Sequence, residues 1–91
     1  MKPSPYRVEI APAAGRDLRK LPEPVFEALR QVILGLSSVQ RPSGVRKLKG
    51  AERAYRVRFG PYRILYEIDD KKKLIAVLRV VRRSETTYRW V

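Results

Sequence analysis

The segment AYRVRFGPYRILYE, residues 54–67, alternates apolar and charged side chains on both sides of a Gly–Pro pair. Tyr55, Val57 and Phe59 alternate with Arg56 and Arg58; after Gly60-Pro61 the pattern resumes with Tyr62, Ile64 and Tyr66 against Arg63 and Glu67. Two runs of period 2 joined by a two-residue turn predict a β-hairpin, with strands at 54–59 and 62–69. One face then takes Tyr55, Val57, Phe59, Tyr62, Ile64 and Tyr66, and the other takes Arg56, Arg58, Arg63 and Leu65. Three arginines on one face of a small hairpin have two readings. The face is simply solvated, as on any half-buried strand, or a polyanion sits on it.

Working outward, "YRVEIA" (6–11) alternates and predicts a first strand. Pro12 suits the first position of a helix, where no backbone donor is needed. Ala14, Leu18 and Leu21 then fall at i, i+4 and i+7. "LPEP" at 21–24 breaks the chain. In the next helix Val25, Phe26, Leu29, Val32, Ile33 and Leu36 form one broad apolar stripe. Glu23 and Glu27 lie near its N-terminus, where the helix dipole favours acids. The stretch "GVRKLKG" (44–50) predicts a short strand or an extended arm. "DDKKK" makes a turn, and "LIAVLRVV" (74–81) is apolar on both faces, as a strand covered on both sides should be. The order β-α-α-β-β-β predicts an α+β fold: one domain over residues 1–91, with an antiparallel-dominated sheet and an N-terminal helical hairpin packed on one face.

Composition narrows the chemistry. The formal net charge is +12 over 91 residues. Residues 1–40 hold six basic and four acidic side chains, a balance of +2, whereas residues 41–91 hold fifteen and five, a balance of +10. Arginine outnumbers lysine by 14 to 7, and guanidinium forks suit bidentate phosphate contact. Such a charge favours nucleic acid, an anionic membrane or an acidic protein as partner. The chain has no cysteine and no histidine, so thiolate nucleophiles, Ser/His/Asp catalysis and histidine acid–base pairs are excluded. No apolar run reaches spanning length and "MKPSPYRVEI" lacks the apolar core of a signal peptide, so an intracellular, cytoplasmic chain is expected. Asp69 and Asp70 fall in a turn, where aspartate serves the backbone, and a metal site is not expected there. Lys47 and Lys49 extend the basic set, and Arg82, Arg83 and Arg89 near the chain end could join it. "RRSET" (82–86) reads as a helix start, and Trp90 as a core plug or a stacking platform.

The succession "KLKG", "YRVRFGPYRILYEI", a hydrophobic strand ending in basic residues, and a tyrosine a few residues on resembles the RelE/ParE toxin superfamily through residues 47–89. The strand and two helices before it have the matching order. The resemblance implies the toxin of a type II toxin–antitoxin pair, held inactive by a cognate antitoxin that wraps it. In RelE-type members it implies entry into the ribosomal A site and cleavage of mRNA by attack of the ribose 2′-oxygen on the adjacent phosphate. ParE-type members share the fold but act on DNA gyrase. Carried over residue by residue, Arg56 and Arg58 match a basic pair that is commonly lysine. Arg63 matches the arginine on the scissile phosphate. Arg83, or Arg82 one register away, matches the arginine after the last strand. Tyr88 matches the tyrosine that stacks on the base and assists the 2′-hydroxyl. Arginine in the paired position keeps the charge but removes the more easily deprotonated group. No cofactor is implied, and the expected partners are the antitoxin, the ribosome and mRNA.

Overall fold

A computed structural model describes residues 5–50 and 52–82. The elements are β1 (Arg7–Ile10), α1 (Pro12–Arg19), α2 (Glu23–Gly35), β2 (Arg46–Lys47), β3 (Ala54–Phe59), β4 (Tyr62–Asp69) and β5 (Leu74–Arg82). They build one five-stranded sheet in the order β1-β5-β4-β3-β2. All neighbours are antiparallel except β1 and β5, which pair in parallel from Arg7↔Leu74 to Ile10↔Val77. The predicted α+β architecture is therefore the observed one.

The hairpin forms as its alternation requires. Phe59 faces Tyr62 across Gly60-Pro61. Gly60 has φ +56°, and a positive φ at the first central position of a two-residue loop is the turn that matches strand twist. Pro61 then pre-sets the second position. Pro12 opens α1, and the Ala11 N–H just before it donates to Val77 O at 2.8 Å, so β1 hands directly over to the helix. Pro22 and Pro24 bracket the start of α2, with Glu23 in its first turn.

Both helices lie on one face of the sheet. Ala14 and Leu18 of α1 and Leu29, Ile33 and Leu36 at α2 pack against Val57, Tyr62, Ile64, Tyr66, Ile68, Ile75, Val77 and Val80. Complete burial of side chains such as Leu29, Ile64 and Ile75 stabilises the fold by about 1.5–3 kcal/mol each. α1 runs along β5. There the pairing of β1 stops at Val77, and the Val80 N–H beyond it donates to Asp17 Oδ2 at 2.9 Å. Asp17 also accepts from Arg79 Nε at 2.8 Å and Nη2 at 3.1 Å. β5 bulges at this point. Leu65 pairs with Arg79 but Tyr66 with Val77, so Leu78 is an extra residue. One carboxylate thus ties the bulge to α1.

The loop between α2 and β2 is pinned rather than free. Ser37 and Tyr6 bond through Tyr6 N–H to Ser37 O (2.9 Å) and Ser37 Oγ to Tyr6 O (2.6 Å). The buried Tyr66 donates its hydroxyl to Gln40 O at 2.8 Å. Arg41 donates to Asp70 Oδ2 at 2.9 Å and lies 5.2 Å from the centroid of the Tyr55 ring.

Candidate nucleic-acid interface

The sheet face opposite the helices carries the arginines. Across the strands, Arg46 pairs with Arg56 and Arg56 with Leu65, while Arg58 pairs with Arg63 and Arg63 with Val81. Paired residues share a face, with Cβ atoms about 4.5–5.5 Å apart. The result is a lattice of four guanidinium groups over an apolar floor. Leu65, Val81 and Ala54 supply the floor: all three are buried, yet none belongs to the helix-side core. Among the described residues neither Arg56 nor Arg58 is paired with a carboxylate. Arg56 and Arg63 are half-buried, with Arg63 Nε fully so, whereas Arg46 and Arg58 are exposed.

Beside this lattice a groove of about 250 Å³ is lined by Ser43, Gly44, Arg46, Arg56, Val57 and Arg58. Its outer wall is the turn before β2, where Val45 N–H bonds Pro42 O and Gly44 takes φ +86°. The Arg41–Asp70 pair and the Tyr66–Gln40 bond hold the chain just before this wall. Arg41 is held protonated even more firmly than usual by its bonds to Asp70 and Tyr55, and Asp70 is pulled below the usual carboxylate range by Arg41 and then Tyr6. The wall is thus anchored at the end of the sheet remote from Gly60.

The positions of the expected site residues divide clearly. Arg56, Arg58 and Arg63 come together as the alternation predicts. Lys47 does not join them. It pairs with Tyr55, whose ring packs on the helix-side core, and Arg46 takes the place expected for it. Val45 packs on the helix-side core, so its neighbour Arg46 faces away. Lys49 sits in the turn after β2, beyond Ala54 and away from Arg58. Arg82 pairs with Tyr62 and lies 5.7 Å from the centroid of its ring, on the helix side of the sheet. Arg83, Tyr88 and Arg89 lie outside the described residues, as do Ser84 and Trp90. Asp69 serves its turn as expected, accepting from Lys72 N–H at 3.0 Å, which holds its carboxyl low. Among the described residues no cluster of acidic side chains could hold a metal ion, and no helix is long and apolar enough to cross a membrane.

The chemistry of this arrangement is suited to phosphate. A guanidinium fork donates to two phosphate oxygens at once, and among the described residues neither Arg56 nor Arg58 has a carboxylate to compete. Residues 8–87 match the family model described as the ParE toxin of the type II toxin–antitoxin system parDE. The chain belongs to the ParE toxin family. Individual family relatives carry RelE-type names. Toxin RelG of Mycobacterium tuberculosis is 37% identical over 83 residues, covering 89% of this chain and 94% of the relative. Toxin RelE of the same organism is 34% identical over 81 residues, covering 88% and 84%. Among solved structures, the RelBE2 toxin–antitoxin complex of M. tuberculosis superposes with a TM-score of 0.76 at 34% identity, covering 87% of this chain and 99% of that one. The archaeal RelE–RelB complex of Pyrococcus horikoshii gives 0.77 at 29% identity, covering 88% and 97%. The family match therefore spans nearly the whole chain, and Arg46, Arg56, Arg58 and Arg63 fall within it.

Proposed function

We propose that this chain is the toxin of a toxin–antitoxin pair and acts as a ribosome-dependent mRNA endonuclease. The observation that carries the reading is the convergence of Arg56, Arg58 and Arg63 on one sheet face, with Arg58 directly opposite Arg63. Like charges in that position destabilise a sheet, and a phosphodiester repays the arrangement by neutralising it. The message lies across this face in the A site. The 2′-oxygen of one nucleotide attacks the adjacent phosphorus, the bond to the 5′-oxygen of the next nucleotide breaks, and a 2′,3′-cyclic phosphate and a 5′-hydroxyl result. Because the nucleophile belongs to the substrate, no metal-activated water is required. Arg63, Arg56 and Arg58 hold the phosphate and the extra charge of the pentacoordinate state. Guanidinium cannot serve as the base. In this reading Tyr88, as tyrosinate, stacks on the base and takes the 2′-hydroxyl proton, while Arg83 neutralises the departing 5′-oxygen, which takes its proton from water.

Supporting this choice are the RelE-type names of the relatives above one-third identity. The solved complexes of such toxins with RelB support a cognate antitoxin as partner. The chain's +12 charge calls for an antitoxin segment that is acidic as well as apolar. The ParE description of the family model favours a second reading, in which the chain binds DNA gyrase and cleaves no RNA.

The test is primer extension on ribosomes stalled with an empty A site over a defined mRNA. Wild-type protein is expected to create new 3′ ends inside the A-site codon, and Arg63→Ala to slow their appearance by about 10²–10³-fold. A folded wild type that leaves the message intact but inhibits gyrase supercoiling would replace this reading with the second.

A further inference from the structure

The groove lined by Ser43, Gly44, Arg46, Arg56, Val57 and Arg58 continues the arginine face one strand beyond the residues assigned to the scissile phosphate. One of its guanidinium groups belongs to Arg46, which stands directly opposite Arg56 on the two-residue edge strand β2. Like charges in that position work against the pairing. Among the described residues nothing offsets them: Arg46, like Arg56 and Arg58, forms no ion pair, and no acidic side chain lines the groove. The strand is held in place all the same. Val45 beside it packs on the helix-side core, and Leu48 N–H bonds Ala54 O at 2.8 Å. Arg41 and Tyr66 secure the preceding loop through Asp70 and Gln40 O. Gly44, at φ +86°, has nothing within 4 Å of where a side chain would stand, so the rim beside Arg46 is open.

We propose that this groove is a subsite for a message phosphate one or two steps from the scissile one, with Arg46 as its principal contact. The inference rests on the endonuclease reading above and extends that site along the substrate. Arg46 is two strands across and two residues along from Arg63, about 12 Å between backbones by strand spacing and rise. That separation suits a different phosphate of the same chain. Arg56 lies between them, opposite Arg46 on one side and Leu65 on the other. The lining also bears on which part of a nucleotide is held. Among the described residues that form it there is no aromatic ring on which a base could stack. The guanidinium groups and the Ser43 hydroxyl are donors suited to phosphate oxygens. The contact therefore positions the message and acts alike on every codon. An acidic protein segment would meet the same charge, but continuity with the face that carries Arg63 favours the substrate's own backbone.

The experiment uses ribosomes stalled with an empty A site on an unmodified message and on a series of neutralised ones. In each of these an uncharged methylphosphonate replaces a single phosphate, at the first or second position on either side of the scissile one. Single-turnover cleavage is followed as ribosome is titrated against wild type, Arg46→Ala and Arg46→Lys, and circular dichroism checks that each variant folds. On the unmodified message Arg46→Ala is expected to raise the half-saturating concentration about tenfold or more. Arg46→Lys should raise it less, since it keeps the charge and loses the fork. The cost falls on half-saturation more than on the rate at saturation, the reverse of Arg63→Ala, because a flanking phosphate carries the same charge in the ground and transition states. One neutralised message should weaken wild type to the same degree, and on it Arg46→Ala should add little further. Unchanged half-saturation in Arg46→Ala overturns the proposal. So does a penalty that persists in full on every neutralised message, that varies with codon, or that appears only in affinity for the co-purified antitoxin. A wild type that cuts no message overturns the endonuclease reading and the subsite with it. A wild type that cuts, with Arg46→Ala its equal throughout, leaves that reading intact and removes the subsite alone.

Discussion

Arg58 stands directly opposite Arg63 across the β3–β4 hairpin, with only Phe59 and Tyr62 between this pair and the Gly60-Pro61 turn. The sheet holds two guanidinium groups where opposite charges or an aromatic pair would stabilise it. Arg58→Thr removes the repulsion and places a residue of good strand propensity at an exposed position. Stability is expected to rise by about 0.2–1 kcal/mol, measured by urea unfolding, while cleavage falls. A variant that loses both stability and activity would show that Arg58 packs rather than serves phosphate.

The turn that sets this register depends on one backbone angle. Nothing lies within 4 Å of a side chain built at Gly60, so space is no obstacle to Gly60→Ala. Its φ of +56° is the obstacle. The substitution is expected to cost about 1–2 kcal/mol in the same unfolding assay. A neutral result would mean that the turn relaxes to another type, and the Arg58–Arg63 pairing should then shift.

Asp17 links helix, bulge and strand edge. Burial raises its pKa, but the bonds from Arg79 and the Val80 amide outweigh this and hold it below the ordinary value. A carboxylate lowered in the folded state adds stability above its unfolded pKa, and that contribution is lost as pH falls through the folded value. Asp17→Asn should therefore cost about 1–3 kcal/mol at neutral pH. The gap to wild type should close as the pH drops below the ordinary aspartate range, about 3.9. Guanidinium melts of both proteins at several pH values measure it, and a gap independent of pH would remove the carboxylate charge from the account.

Tyr66 gives the opposite sign. Burial, its main cause, pushes the phenol up to about 12, so the folded chain resists its ionisation. The stability this confers is full below the unfolded tyrosine pKa near 10 and is lost as pH rises through the folded value. Tyr66→Phe is expected to cost about 0.5–1.5 kcal/mol at neutral pH, from the lost bond to Gln40 O. The variant should overtake wild type in the alkaline range. Alkaline unfolding curves that run parallel for the two proteins would contradict it.

Local pattern carried much of this fold. The period-2 runs on either side of Gly60-Pro61 specify the hairpin and assign each of its side chains to a face. The stripe from Val25 to Leu36 specifies α2, and the prolines at 12, 22 and 24 mark where helices begin. The gathering of Arg56, Arg58 and Arg63 was legible for the same reason, since strand geometry translates spacing into side. β2 was not legible in this way. Two residues are too few to display a period, so the exchange of Lys47 for Arg46 in the groove emerges only from pairing with β3.

The sequence by itself determined the hairpin, the helical pair, the excess of charge in the second half and the likeness to the toxin superfamily. All of these depend on residues near one another in the chain or on simple sums over it. Tertiary structure alone decided the parallel pairing of β1 with β5, the bulge at Leu78, the clamp of Asp70 on Arg41 and the seating of Asp17 on Arg79, 62 residues away. It also decided which cations share a surface and which, like Lys47 and Arg82, are turned to the other side. The physical reason is that register and ion pairing are set by contacts between distant segments, and local side-chain periodicity carries no record of them.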